Sequence, residues 1–304
     1  MTDQALAESP ALLYFDALSY SVRGMVVKPE NSKGREPRAE KADADWRDLR
    51  LSALVDDLAV SLVFLTRVPM RVDNARFQRR PLAKAMRAFP LIGAGLGVLA
   101  GLAFILGEAS GLPGLAAGSL AVAVMVLTTG ALHEDALADM ADGFGGGRDV
   151  DHKLSIMKDS RVGTYGAVAA ALALLMKVSA IVGLDEAGGS GLVLVCLIAS
   201  GAVSRTGVVI LPHLLAPAKD QGLAAETGRP GEVTVVQAML AAAVITFLLV
   251  SALPAFVGLV LALGAVATLG NLAARQIGGQ TGDVLGASQQ AAEIAFLYGV
   301  LMIV

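Results

Sequence analysis

The chain has one cysteine, three histidines and one tryptophan in 304 residues, and only 17% of its positions are charged. A lone cysteine, Cys196, excludes an intrachain disulfide, a CxxC redox pair and a zinc site built from thiolates. His133, His152 and His213 are too scattered to form a histidine metal cluster. Soluble domains carry about a quarter charged residues, so the chain falls well short of that class. A formal net charge of −3 gives no electrostatic ground for nucleic-acid binding. Aromatics are also scarce, at 5%. What remains is Ala, Leu, Val and Gly, which bring the hydrophobic share to 55% and the mean hydropathy to +0.65. This small apolar mix lets helices approach closely inside a bilayer. The composition predicts an all-α, polytopic integral membrane helix bundle in place of two soluble domains.

Residues 1–50 read differently. The stretch KPENSKGREPRAEKADADWRDLR, Lys28 to Arg50, is dense in charge and lacks apolar periodicity, so a flexible soluble extension is expected there. No basic segment followed by an apolar core opens the chain, and insertion is expected to rely on internal helices. From residue 51 to 304 the chain reads as one membrane-embedded catalytic domain. Apolar stretches of about 20 residues, enough to cross about 30 Å of hydrocarbon, predict six spans near 89–109, 112–132, 164–184, 191–211, 233–253 and 255–273. Two further segments are partial or interfacial: 51–69, with Asp56 and Asp57, and 291–304, with Glu293. Lys and Arg alternate between connections. They crowd 70–88 (Arg71, Arg76, Arg79, Arg80, Lys84, Arg87) and 133–163, recur at Lys219, Arg229 and Arg275, and are missing from 110–111, 185–190 and the turn at Pro254. The basic loops, which hold all the polar chemistry, are therefore expected in the cytoplasm.

The densest chemistry lies in ALHEDALADMADGFGGGRDVDHKLSIMKDSRVGTYG, residues 131–166. If 133–143 is helical, Asp139 lies about 40° and Asp142 about 20° from Asp135 around the axis. Three carboxylates on one face repel unless a cation neutralises them. Oxygen-only ligands point to Mg²⁺ shared with substrate phosphates, with Asp135, Asp139 and Asp142 as candidate ligands. The plainer alternative is a solvated acidic helix end. Glu134 lies about 100° off this face and His133 nearly opposite it. Next comes a glycine loop, Gly143, Gly145, Gly146 and Gly147 with Arg148, whose backbone could approach an anion, although it matches no P-loop or dinucleotide fingerprint. Lys158, Asp159, Ser160, Arg161 and Tyr165 follow at the mouth of a span. The two cations suit phosphate oxygens, or else simply anchor the loop at the membrane. Farther on, Asp283 sits in GGQTGDVLGA, Ser204 and Arg205 lie inside an apolar run, and Asp220, Gln221, Gly222 and Leu223 follow it. An arginine there is expected to face a polar interior or to snorkel. Asp283 is expected to share a cytoplasmic cavity with Asp135, Asp139 and Lys158. The competing reading makes it only a cap for the next helix.

The block HxDxLADxADGxxGGRD, then IMKDSRxGTYG, then GGxTGDxLGA, in this order with the earlier FLTRVP (64–69) and FPLIG (89–93), resembles the cobalamin synthase family over about residues 53–304. Two positions depart from the family's HLDGLAD: Glu134 replaces an apolar residue and Ala136 a glycine. The resemblance implies a Mg²⁺-dependent inner-membrane enzyme that joins adenosylcobinamide-GDP to α-ribazole or its 5'-phosphate and releases GMP. It supports the location of the site, and the residues themselves suggest the division of roles: catalysis at Asp135, Asp139, Lys158 and Asp159, and substrate binding at Gly143, Gly146, Gly147, Arg148, Ser160, Arg161, Tyr165 and Asp283. A CDP-alcohol phosphatidyltransferase is the nearest rival, but its DGxxAR run is missing. A cation-coupled transporter is the other, though the acids cluster in a loop and the spans show no internal repeat. Oligomeric state, the preferred ribazole form and contacts with other enzymes of cobalamin synthesis stay open at this level.

Overall fold

The computed structural model describes residues 50–70, 80–219 and 227–304. The charged extension, Arg71, Arg76, Arg79 and the Asp220–Leu223 segment lie outside the described residues. Those described are helical throughout, with one isolated bridge between Pro217 and Gln280. In chain order the helices are α1 (Leu51–Leu65), α2 (Leu82–Ala85), α3 (Phe89–Ala109), α4 (Gly114–Thr129), α5 (Leu132–Gly146), α6 (Val150–Ile156), α7 (Thr164–Leu214), α8 (Glu232–Leu249), α9 (Ala252–Ile277) and α10 (Gly282–Leu301). A 3₁₀ turn, Met86–Ala88, joins α2 to α3.

Among the described residues, four helical stretches are long and apolar enough to cross a membrane: Leu82–Ala109, α7, α8 and α9. The pair α4 and α5 would make a fifth, but it is bent by 87°. Gly130 and Ala131 both adopt left-handed backbone there (φ 66° and 58°), which ends α4 and turns α5 aside. By length and composition the described residues thus hold four to five candidate spans, against the six expected. The segments expected at 164–184 and 191–211 are the two arms of α7, which breaks between them at Gly189 (φ 74°, ψ 179°). That break reverses the chain. Lys177 and Arg205, about 42 Å apart on a straight helix, both reach Glu293 Oε2, at 3.3 and 3.5 Å. A glycine meets the left-handed φ at this point without a Cβ penalty.

The second arm of α7 packs along α3 through small residues. Gly93, Gly97 and Gly101, one turn apart on α3, face Gly201, Leu197 and Leu194; a Cβ on Gly93 would overlap the Gly201 carbonyl, and one on Gly201 the Gly93 carbonyl. Backbones can meet this closely only where both helices present small residues. We expect Gly201→Val to force the helices apart and lower stability by about 1–3 kcal/mol, as overpacking does, read as a lower melting temperature of the detergent-purified protein. Gly264→Ala, in open space on α9, serves as the neutral control.

The two partial segments resolve differently from expectation. In α1, Asp57 is fully buried and its carboxylate accepts from Arg87 Nε at 2.6 Å, with Arg80 Nε 3.5 Å away, so its acid ties α1 to the α2–α3 entrance. The terminal run is not a short separate piece. It is the second half of α10, which is central: Gly299 packs on Gly258 of α9, and Leu301 on Gly183 near the α7 break. Its polar residues Ser288, Gln289, Gln290 and Glu293 are all buried, which is why hydropathy alone does not mark this helix.

Candidate active site

The bend at Gly130 and Ala131 lays α5 across the end of the bundle, and its first turn divides two neighbours. Glu134 points inward and is buried, whereas Asp135 is exposed to a cavity of ≈ 310 Å³. Asp283, in the first turn of α10, lines the same cavity, together with Lys158 and Lys219. Much of the remaining wall is apolar, including Phe64, Met86 and Met157. Asp135 and Asp283, 148 positions apart in sequence, thus share one hollow with Lys158, whereas Asp139, also expected there, does not line it.

Backbone pairing brings in Lys219. Gln280 N–H donates to the Ala216 carbonyl and Ala218 N–H to the Gln280 carbonyl, both at 2.9 Å, joining the chain after α7 to the turn before α10. A Cβ at Gly279 would strike Ala216 O, so this glycine serves close approach. Lys219 Nζ, thereby placed, donates to the Leu154 carbonyl at 3.1 Å. Burial and the nearby Lys158 hold its ammonium below the ordinary lysine range. Thr281 accepts from Val284 N–H and so caps α10 itself, while its hydroxyl donates to Asp283 Oδ2 at 3.3 Å. Asp283 therefore is not the cap.

The acids repel as their helical phase predicts. Asp139, partly buried, is pushed up to about 7 by desolvation and then by the charges of Asp135, Asp283 and Asp142. Asp283 is pushed up to about 6, chiefly by burial and also by Asp135. Both folded values lie above the ordinary aspartate value of 3.8, so the folded state binds protons more tightly than the unfolded chain. Their stabilising contribution is complete below that value and disappears as pH rises toward 6 to 7. We expect Asp139→Asn to melt with the wild type at pH 4 and at a higher temperature than the wild type at pH 7 in divalent-free buffer. An unchanging gap between the two across this range would contradict the repulsion.

Asp142 has another task. Its Oδ2 accepts from Gly163 N–H at 2.7 Å and its Oδ1 from Gly166 N–H at 2.8 Å, so it seats the start of α7 from a distance. This engagement removes Asp142 from the carboxylates that face the cavity. Among the described residues, no group of three or more His, Cys, Asp or Glu is placed to hold a metal ion.

The glycine loop is mostly not a loop. Gly143, Gly145 and Gly146 belong to α5, and the Gly147 N–H donates to the Gly143 carbonyl at 3.0 Å. Side chains at these positions would be crowded: Gly143 lies against Met157, Gly145 against the Tyr165 ring, and Gly147 against Lys153. Asp159 and Arg161 form a solvent-exposed pair (Nη2 to Oδ2, 2.6 Å), and the Arg161 guanidinium holds Asp159 below the usual carboxylate range. Neither lines the cavity, and neither do Arg148, Ser160 or Tyr165.

Behind the cavity lies a network that motif reading missed. Glu134 Oε1 accepts from Gln290 Nε2 at 2.9 Å and lies 3.4 Å from Lys177 Nζ. Lys177 and Arg205 converge on Glu293, which also accepts from Gln289 Nε2 at 2.6 Å, and Gln289 reaches Ser204. Arg205 does face a polar interior, as its position in an apolar run predicts. The one signal available in sequence was the presence of Lys177, Arg205 and Glu293 inside apolar runs, since such charges are costly unless paired.

Among the described residues, an all-helical bundle with several helices of membrane-crossing length, hollowed where two carboxylates meet two lysines, has the architecture of a membrane protein. More particularly, the chain belongs to the cobalamin-5-phosphate synthase family, which it matches over residues 57–301. It is 44% identical over 264 residues to an adenosylcobinamide-GDP ribazoletransferase of Azorhizobium caulinodans, covering 84% of this chain and 98% of that protein. Proteins of the same name from Xanthobacter autotrophicus and Mesorhizobium japonicum are each 42% identical, over 84% and 80% of this chain and 98% and 92% of their own lengths. No solved structure matches the chain.

Proposed function

We propose that the chain transfers the cobinamide phosphate of adenosylcobinamide-GDP to α-ribazole or its 5'-phosphate, forming adenosylcobalamin or its phosphate and releasing GMP, a late step of cobalamin synthesis. The supporting observation is that the family match at 57–301 contains every charged residue of the cavity, and extends over nearly the whole length of relatives that carry this activity in their name. The cavity's chemistry fits. Lys158 and Lys219 offer ammonium groups to the diphosphate. Asp135 and Asp283 supply hard oxygen donors in the cavity, with Asp139 within electrostatic reach of both, and one of the three receives the proton as the ribose hydroxyl attacks the cobinamide-side phosphorus. The P–O bond to GMP then breaks, and GMP leaves with the bridging oxygen.

Mg²⁺ suits this donor set, because it binds through one or two carboxylates and completes its shell with water and substrate phosphate. Asp135 and Asp283, the two carboxylates that line the cavity, would hold it there, and it would stabilise charge on the attacked phosphoryl group and on the departing GMP. The placement in a cell membrane is also a proposal: both arms of α7 cross, giving six crossings with α3, α4, α8 and α9, and the basic connections and the cavity face the cytoplasm. Residues 1–50 act as a dispensable soluble extension.

The test is GMP release by membranes containing the protein. It should require adenosylcobinamide-GDP together with a ribazole acceptor, and a CDP-lipid should not substitute. Release that is independent of the acceptor, or none at all, would overturn the assignment.

A further inference from the structure

The buried network has a geometry that bears on the cavity. On α10, Asp283, Gly286 and Gln290 stand at positions i, i+3 and i+7, one face of a helix, and that face meets α5: a Cβ on Gly286 would overlap the Ala136 Cβ, and Gln290 bonds Glu134. On α5, Glu134 and Asp135 are consecutive and point about 100° apart. The contact therefore has carboxylates at its open end, Asp135 and Asp283, and the Glu134–Gln290 bond at its buried end, about two helical turns deeper. Lys177, on the first arm of α7, contacts both Glu134 and Glu293 and so ties the two helices to a third.

Glu134 Oε2, Gln290 Oε1, Glu293 Oε1 and Arg205 Nε are buried with no hydrogen-bond partner among the described residues. An assembly meant only to hold helices together would do better with apolar packing, since a buried ionic network with unmet groups is weak evidence for stability. Fixed register between two elements is the best-attested use of such groups.

We propose that Glu134, Lys177 and Gln290 are positioning residues that set the separation and facing of the Asp135 and Asp283 carboxylates. This rests on the reading that the cavity between α5 and α10 is where transfer occurs. Glu134 turns Asp135 outward by pointing inward, and Gln290 fixes how far α10 has slid along α5. Loosening this clamp leaves the cavity's own groups intact but displaces one carboxylate relative to the other, which affects the reacting geometry more than the binding of large substrates.

The experiment exchanges the two partners. Glu134→Gln, Gln290→Glu and the double exchange Glu134→Gln/Gln290→Glu are compared in lipid nanodiscs for kcat, KM and melting temperature. Each single variant should lose about ten- to hundredfold in kcat, the cost of sub-ångström to ångström misplacement, with KM for both substrates within about twofold because cavity contacts are unchanged. The double variant retains one carboxylate and one amide beside Lys177 and should recover most of the lost kcat. Lys177→Arg, which keeps the cation, should stay near the wild type and provides the test should Glu134→Gln not be recovered from membranes. The proposal is overturned if the singles keep wild-type kcat, if the exchange restores melting temperature but not kcat, or if Lys177→Arg is as slow as the worse single. Failure of the cavity reading itself would look different: Asp135→Asn would then remain active.

Discussion

Asp135→Asn and Asp139→Asn should each cut GMP release by about 10²–10³-fold, the usual effect of removing one preorganised group that stabilises developing charge, while the protein stays in the membrane. Asparagine keeps the volume of aspartate and removes its charge. At Asp135 it takes away a donor that faces the cavity, and at Asp139 the acid that burial and three neighbouring carboxylates hold at about 7. Stability should move in the opposite direction. Asp135, Asp139 and Asp283 repel one another, so neutralising one relieves strain that the wild type tolerates, and both variants should melt no lower than the wild type at pH 7. Loss of activity with unchanged or raised stability is the signature of residues kept for chemistry. Loss of both together would make these acids structural.

The second large effect runs the other way. Glu293 is buried on α10 between Lys177 and Arg205, 3.3 and 3.5 Å from the two cations. Glu293→Leu leaves Lys177 with Glu134 alone and takes from Arg205 its contact with Glu293, and breaking a buried pair in this manner costs about 3–5 kcal/mol. That is a large part of the stability of a typical domain, about 5–15 kcal/mol. The expected result is a severe fall in membrane-extractable protein, with any remainder melting well below the wild type. Glu293→Leu combined with Lys177→Met removes one acid and one base together and should recover part of the loss. A Glu293→Leu protein that melts with the wild type would mean that the network is solvated and of little consequence.

Much of the site is legible from periodicity. The 100° step places Asp135 and Asp139 on one face and Glu134 off it, and α5 has that phase. What the step does not show is what lies opposite each face. Asp142 shares the acidic face, yet the start of α7 comes to it and its oxygens are taken by Gly163 and Gly166. Glu134 departs from the apolar residue of the resembling pattern, and its inward direction acquires meaning only because Lys177, 43 positions later, packs against it. Lys219 reads as one more basic marker of orientation until the Ala216–Gln280 pairing brings it to the cavity. The glycines at 143–147 suggest a loop because local sequence cannot distinguish a flexible turn from a helix flank pressed against Met157, Tyr165 and Lys153. Hydropathy finds the apolar helices, the two arms of α7 on either side of its fold-back included, but it undervalues α10, whose polar face is buried by its neighbours.

The most direct measurement is a structure of the wild-type protein in lipid with adenosylcobinamide-GDP, Mg²⁺ and an unreactive ribazole analogue lacking the attacking hydroxyl. The diphosphate should lie between the Asp135 and Asp283 carboxylates with Lys158 and Lys219 against its oxygens, and α5 and α10 should remain joined at Glu134 and Gln290. A diphosphate bound elsewhere, for instance at the exposed Asp159–Arg161 pair with the cavity left to lipid or solvent, would contradict the account.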